Sequence, residues 1–382
     1  MSADDRSFTK AVLVVWVSCA IPAVTAQSQD QKQRARDILD AAGVRGGLIV
    51  HLDCDDGKLT TALRAGESYI VQGLDTNPDD VEQAKRTIQT EGLYGQVTAR
   101  RFDGESLPYI DNLVNLIVAT GACEVPQREI LRVLAPGGVA CINGKKTVKP
   151  WPEELDEWTH FHHDPQGTMV GKDQVVGPPR RIQWLGGPKW LRNHDFMNVM
   201  HAMVSARGKV FYVIDEALRN HIFLPSRWTL IARDGFNGTI LWKKTLTDWH
   251  PTNWPLKSGP GHYPRKLVAV GDRVYVAAGL AEPVKCIDAI TGDTIRTYEG
   301  TRPTQEILLC DGILYLLVDP EAAPIDYRAE TTTYKEINRA NRGWAWTPQS
   351  PLRKIMAVEA RSGRRLWEHP AKVAPLSLTV GD

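Results

Sequence analysis

Three stretches in the second half of the chain repeat one pattern, and no other feature constrains the fold so tightly. They are ARDGFNGTILWKKTL from Ala232 to Leu246, CIDAITGDTIRTYEG from Cys286 to Gly300, and AVEARSGRRLWEHP from Ala357 to Pro370. Each runs from an apolar residue through an acid to a small residue and glycine, then into a strand carrying Trp242, Arg296 or Trp367. The Asn-Gly, Thr-Gly and Ser-Gly pairs predict hairpin turns, since glycine supplies the positive φ they need. A β-rich strand after its own glycine turn precedes each hairpin: GKVFYVID, GDRVYVAAG and DGILYLLVD. Gly238, Gly292 and Gly363 recur at intervals of 54 and 71 residues, the longer one holding an insertion from about Pro320 to Pro351. A four-strand unit recurring at this period predicts the blades of a β-propeller over 206–382, reached through a linker and propeller entry at 149–205.

The first half obeys a different rule. QKQRARDILDAAG reads as an amphipathic helix closing on Gly43, and GLIVHL (Gly47 to Leu52) as a buried parallel strand. A glycine turn, a helix around Leu59–Leu63 and the strand SYIVQGLD, ending at Asp75, follow. Pro78 opens the next helix, where proline is tolerated. Strands at QVTARRF, NLVNLIVA and GVACING flank a helix around REILRVL. Alternating strands and helices predict a doubly wound parallel sheet over 30–148, a reduced Rossmann-like domain stopping at its fifth strand. A length of 382 residues accommodates both cores, and a net charge of +1 marks no nucleic-acid binder.

The first half resembles the class I S-adenosylmethionine-dependent methyltransferases in its glycine turn, its acid at the end of the second strand, and the block from Arg128 to Gly138 (REILRVLAPGG). The resemblance implies that Asp75 accepts hydrogen bonds from the cofactor's ribose and that Asp103, in FDGESLPY, contacts its adenine. The family's first loop reads acid-x-G-x-G-x-G; here it is His51-Leu52-Asp53-Cys54-Asp55-Asp56-Gly57. Asp53 and Asp55 stand where glycines are usual, and aspartate tolerates left-handed geometry better than most residues. The expected cofactor-binding set is Asp53, Asp55, Gly57, Asp75 and Asp103, with S-adenosylmethionine as the cofactor it would take and no catalytic residue identified.

The second half resembles the PQQ-like repeats of quinoproteins and of outer-membrane-assembly propellers, which implies that Trp242 and Trp367 dock on neighbouring blades. Quinoprotein dehydrogenases cover the quinone with a disulfide of adjacent cysteines. This chain has no such pair, so PQQ is not expected. The final LSLTVGD matches LVAVGD ending at Asp272, so another blade is expected to begin there.

Arg6 and Lys10 precede the apolar run Ala11 to Val24, and Val24-Thr25-Ala26 fits a signal-peptidase site, so residues 1–26 read as an export signal. The expected location is periplasmic or at the cell envelope, with no stable membrane span after cleavage. The widely spaced cysteines read as small apolar residues. His160, His163 and Asp164 in WTHFHHDPQG are candidate metal ligands, against the simpler reading that they brace the linker. The Trp-rich loops DWHPTNWP and RGWAWTP would offer a carbohydrate- or peptide-binding rim. Asp53 and Asp55 in place of glycine weigh the sequence toward an exported binding or scaffolding propeller with a degenerate methyltransferase-like domain. The alternatives are a methyltransferase using the cleft around Asp75 and Asp103, and a quinone-dependent oxidoreductase.

Overall fold

The computed structural model describes residues 23–121, 123–174, 177–178, 182–187, 200–217, 226–247, 249, 263–320 and 352–381. The apolar run up to Pro22, the insertion from Glu321 to Pro351 and most of the two Trp-rich loops lie outside these residues. α1 (Ala23–Ala42) continues unbroken across the anticipated cleavage position at Ala26. Ala35, Leu39 and Ala42 form its buried stripe, and the chain leaves it through Gly43 at φ +75. Among the described residues no helix is long and apolar enough to cross a membrane.

Next come β1 (Gly47–Leu52), α2 (Lys58–Ala62), β2 (Tyr69–Asp75), α3 (Pro78–Thr90) and β3 (Val97–Arg101). Then follow β4 (Val114–Ala119), α4 (Gln127–Val133), β5 (Leu134–Ile142) and β6 (Lys145–Val148). α3 starts as its sequence dictates, with Pro78 in the first turn and the Asn77 side chain accepting from Asp79 N at 3.0 Å. The sheet order is β3-β2-β1-β4-β5-β6, parallel except for β6. The expectation that the sheet stops at its fifth strand is therefore corrected. Asn143 and Gly144, both at positive φ, turn the chain back, the geometry that Asn-Gly favours in a two-residue hairpin.

Beyond the linker lie three four-stranded antiparallel sheets. The first unit is β7 (Met200–Ala206), β8 (Lys209–Asp215), β9 (Trp228–Asp234) and β10 (Ile240–Thr245). The second is β11 (Leu267–Val270), β12 (Arg273–Ala277), β13 (Val284–Asp288) and β14 (Thr294–Tyr298). The third is β15 (Thr304–Cys310), β16 (Ile313–Val318), β17 (Arg353–Glu359) and β18 (Arg365–Ala371). β7 occupies Met200–Ala206, at the junction of the linker and propeller entry with the expected blades.

One joint recurs between these units. Trp184 Nε1 donates to Gly235 O at 2.9 Å, Trp242 Nε1 to Ala289 O at 3.1 Å, and Tyr298 Oη to Ala360 O at 2.6 Å. Each acceptor lies three residues before Gly238, Gly292 or Gly363, the left-handed turn glycines. The ring of Trp242 lies so close to Gly292 that a β-carbon there would sit 2.8 Å from it. Trp242 thus docks on the next unit as anticipated. Trp367 does not dock among the described residues: it is 40 % exposed, beside Tyr315 and His369.

Two groups of hydrogen bonds, among other contacts, tie these units to the rest of the chain. The linker visits the first strand of each unit: Trp158 O accepts from Ser205 N, Thr159 O from Ala269 N, and His160 Nε2 from Leu309 N. Asn115, on β4, joins the parallel sheet to the first unit. Its Oδ1 accepts from Leu48 N at 2.8 Å and Asn237 Nδ2 at 2.6 Å, while its Nδ2 donates to Asp234 at 2.7 Å.

Trp242→Ala removes a buried ring and its hydrogen bond, so urea unfolding should show a loss of about 3–5 kcal/mol. Trp367→Ala, on an exposed ring, should cost under about 1 kcal/mol. Equal losses would contradict the joint described.

Candidate functional site

The strand order reverses between β1 and β4, which opens a crevice beyond the carboxyl ends of these strands. The loop after β1 crosses this crevice. Asp53, Asp55 and Gly57 adopt φ of 54, 49 and 76, so three left-handed residues alternate with ordinary ones. The expectation that aspartate can carry the turn holds at both positions. Gly57 has no substitute, because a β-carbon would lie 2.7 Å from Ala84 Cα of α3.

Asp75, buried at the end of β2, organises the loop. Its Oδ2 accepts from Asp55 N at 3.2 Å and its Oδ1 from Asn77 N at 2.9 Å. One carboxylate thus fixes both the loop after β1 and the approach to α3. Asp103 follows β3, whose Arg101 lies in register with Asp75. It is exposed, and its Oδ1 accepts from Glu105 N and Ser106 N. The bond from Ser106, then that from Glu105, holds its carboxyl below the usual range.

The mouth is acidic. Burial pushes the Asp53 carboxyl up, and Asp75, Asp55 and Glu124 push it further. Asp55 is likewise raised, by burial and then by Asp80, Asp56 and Asp75. Like charges at this spacing disfavour full ionisation and favour a cation among them. Asp53, Asp55, Gly57 and Asp75 therefore meet at one mouth, with Asp103 on the adjoining strand end.

Sequence reasoning passed over His51 except as a missing acid. It is buried beneath the loop, with Nδ1 2.8 Å from Thr60 Oγ1 and Nε2 buried without a partner. Burial, assisted by Arg34 and opposed by Asp75, lowers its pKa to about 4. A histidine in the first-loop position was the only signal.

His160, His163 and Asp164, weighed as metal ligands against bracing of the linker, are engaged within the protein. His160 is held by Leu309 N and Thr159 Oγ1, while His163 lies between Asp156 at 2.6 Å and Asp164 and Thr168 at 3.1 Å. Both rings spend both nitrogens on protein partners. Asp164 is lowered to about 2, the upward push of burial being outweighed by bonds from Thr168 and His163. Among the described residues no group of three or more such side chains could hold a metal ion. These residues brace the linker.

The family model for "Methyltransferase domain" matches residues 49–138. Residues 49–138 thus match a methyltransferase domain, within a Rossmann-like sheet. The ubiquinone/menaquinone biosynthesis C-methyltransferase UbiE of Klebsiella pneumoniae (strain 342) is 29 % identical over 150 residues, 36 % of this chain and 59 % of that protein. The UbiE of Idiomarina loihiensis is 27 % identical over 184 residues, 45 % of this chain and 70 % of its own. The chain thus spans about three-fifths of the length of the first curated relatives it matches. Among solved structures, the geranyl diphosphate C-methyltransferase of Streptomyces coelicolor A3(2) aligns with a TM-score of 0.28 and 16 % identity, covering 31 % of this chain and 46 % of its own. The stretch that matches the family model includes Asp53 and Asp55.

His51 gives a pH prediction. Folding holds it neutral, whereas the unfolded chain binds its proton below about 6.5, so its contribution to stability is lost as pH falls from about 6.5 to about 4. His51→Gln should reduce the stability lost across that window by up to about 3 kcal/mol, measured by urea titrations at a series of pH values. An unchanged pH profile would show that the ring titrates normally.

Proposed function

We propose that residues 30–148 bind S-adenosylmethionine at the mouth between β1 and β4 and transfer its methyl group to an acceptor. One observation carries this reading: the left-handed turn through Asp53, Asp55 and Gly57, fastened to Asp75 by a main-chain hydrogen bond. The fit can be tested oxygen by oxygen. Each Asp75 oxygen accepts one main-chain N–H, which leaves a further acceptor site on each for a vicinal diol such as a ribose. Asp103 spends Oδ1 on its own turn and keeps Oδ2 for an amino group. Gly57 lets the loop close against Ala84 of α3.

Asp53 and Asp55 disfavour a ligand carboxylate by about 1 kcal/mol each in a solvated site. The same charges favour an ammonium or sulfonium by a similar amount. The chemistry supplied there is an electrophilic methyl carried on a sulfonium. The chain's own residues hold the diol, the amino group and the cationic centre in place, so positioning is the larger part of their work.

We further propose that the three antiparallel units are successive blades of a propeller that presents this domain. The recurring donation onto a carbonyl three residues before each turn glycine favours that reading over three unrelated sheets.

Titration calorimetry of the whole chain with S-adenosylmethionine should give micromolar affinity. Asp75→Ala should weaken it at least tenfold, the value of about 1.4 kcal/mol or more for bonds to a charged group. Asp103→Asn, which can keep its turn, should have a smaller effect. No heat from a chain whose circular dichroism shows it folded would overturn the proposal.

A further inference from the structure

A second concave surface lies on the helical face of the same domain, between α1, α2 and α3. This half-open concavity has a volume of about 860 Å³, the size of a small-molecule site. Its lining is strongly cationic. Lys32 and Arg36 come from α1, Lys58 from α2, Arg64 from the turn after it, and Arg86 from α3, against the single acid Glu91. Lys58 is neutralised by Asp56 at 2.6 Å. Lys32, Arg36, Arg64 and Arg86 form no ion pair among the described residues, and Arg64 Nε is buried without a hydrogen-bond partner.

This is out of proportion to the chain, whose net charge is only +1. Four uncompensated cations, from α1, the turn after α2 and α3, repel one another, and a concave wall of lower dielectric strengthens that repulsion. A ligand carrying several negative charges would relieve it. Three of the four are arginines, whose planar forks match phosphate or carboxylate oxygens two at a time. A concavity of that volume accommodates a compact molecule.

We propose that this cleft binds a small polyanion bearing two or more phosphate groups. The proposal is independent of the methyltransferase reading, since the cleft uses none of Asp53, Asp55, Gly57, Asp75 or Asp103. The cleft nonetheless touches the cofactor-loop side of the domain, because Thr87 Oγ1 donates to Asp56 O at 2.6 Å and Lys58 follows Gly57 directly. A bound polyanion would therefore stiffen the base of that loop.

The test is calorimetry of the full chain with inorganic tripolyphosphate at about 50 mM salt, repeated at about 300 mM, where exposed charges are more strongly screened. Binding in the tens of micromolar is expected, weakened at least tenfold by Arg36→Glu with Arg64→Glu and weakened by salt. Should the double variant fail to fold, Arg86→Gln alone should still lower affinity severalfold. Arg361→Glu with Arg364→Glu, on the third unit's hairpin, should leave binding unchanged. No binding at about 1 mM tripolyphosphate would overturn the assignment, as would equal losses from the distant pair. Binding of a single-stranded oligonucleotide or an acidic peptide without tripolyphosphate binding would also overturn it.

Discussion

The side-chain amide of Asn115 is the fastening on which the arrangement of the chain depends. It satisfies the main-chain N–H of Leu48 at the start of β1, and it grips Asn237 and Asp234 in the first antiparallel unit. Gly47 makes this possible. At φ +102 it leaves no room for a side chain, since a β-carbon would collide with the Asn115 amide. The parallel sheet is therefore docked by the amino end of its central strand. The carboxyl end, five residues and about 16 Å further on, is left open for a ligand.

That polarity explains the division of chemistry. At the docked end the polar groups are consumed by one another, and the Trp151 ring meets Phe236 edge-on. At the open end the carboxylates of Asp53 and Asp55 crowd together and stay protonated to higher pH than usual. Such crowding costs stability and is typical of sites that act on ligands. The loop thus keeps the left-handed turn that glycines would allow, with a different charge. Aspartate reproduces the backbone shape of glycine, but it makes the mouth attractive to cations.

Much of the fold was legible because two periodicities are written plainly. The strand Gly47–Leu52 and the start of α3 at Pro78 fall where alternation and capping place them. The turn glycines Gly238, Gly292 and Gly363 likewise mark the three hairpins. The sequence was silent wherever one residue acts across a long separation. Nothing near Asn115 announces a partner 119 residues away at Asp234, and nothing in WTHFHHDP says that His160 meets Leu309. The histidines looked like metal ligands because composition cannot reveal that their ring nitrogens are already spent. Trp184 was missed because it sits outside any repeat, and the equivalence of Tyr298 with Trp242 is invisible until both are seen to donate to the same carbonyl position. In the mouth, Asp75 was legible from its place at a strand end, whereas the burial of His51 was not.

The linker's path changes how the three units should come apart. A row of repeats touching only its neighbours behaves as a one-dimensional array that can fray from either end, one repeat at a time. Here a single short segment, Trp158 to His160, is bonded to the first strand of every unit. Opening any one of them breaks a bond to a segment shared by all three. The linker thereby converts a chain of pairwise contacts into a cooperative block, in which the third unit is held to the first by more than the second between them.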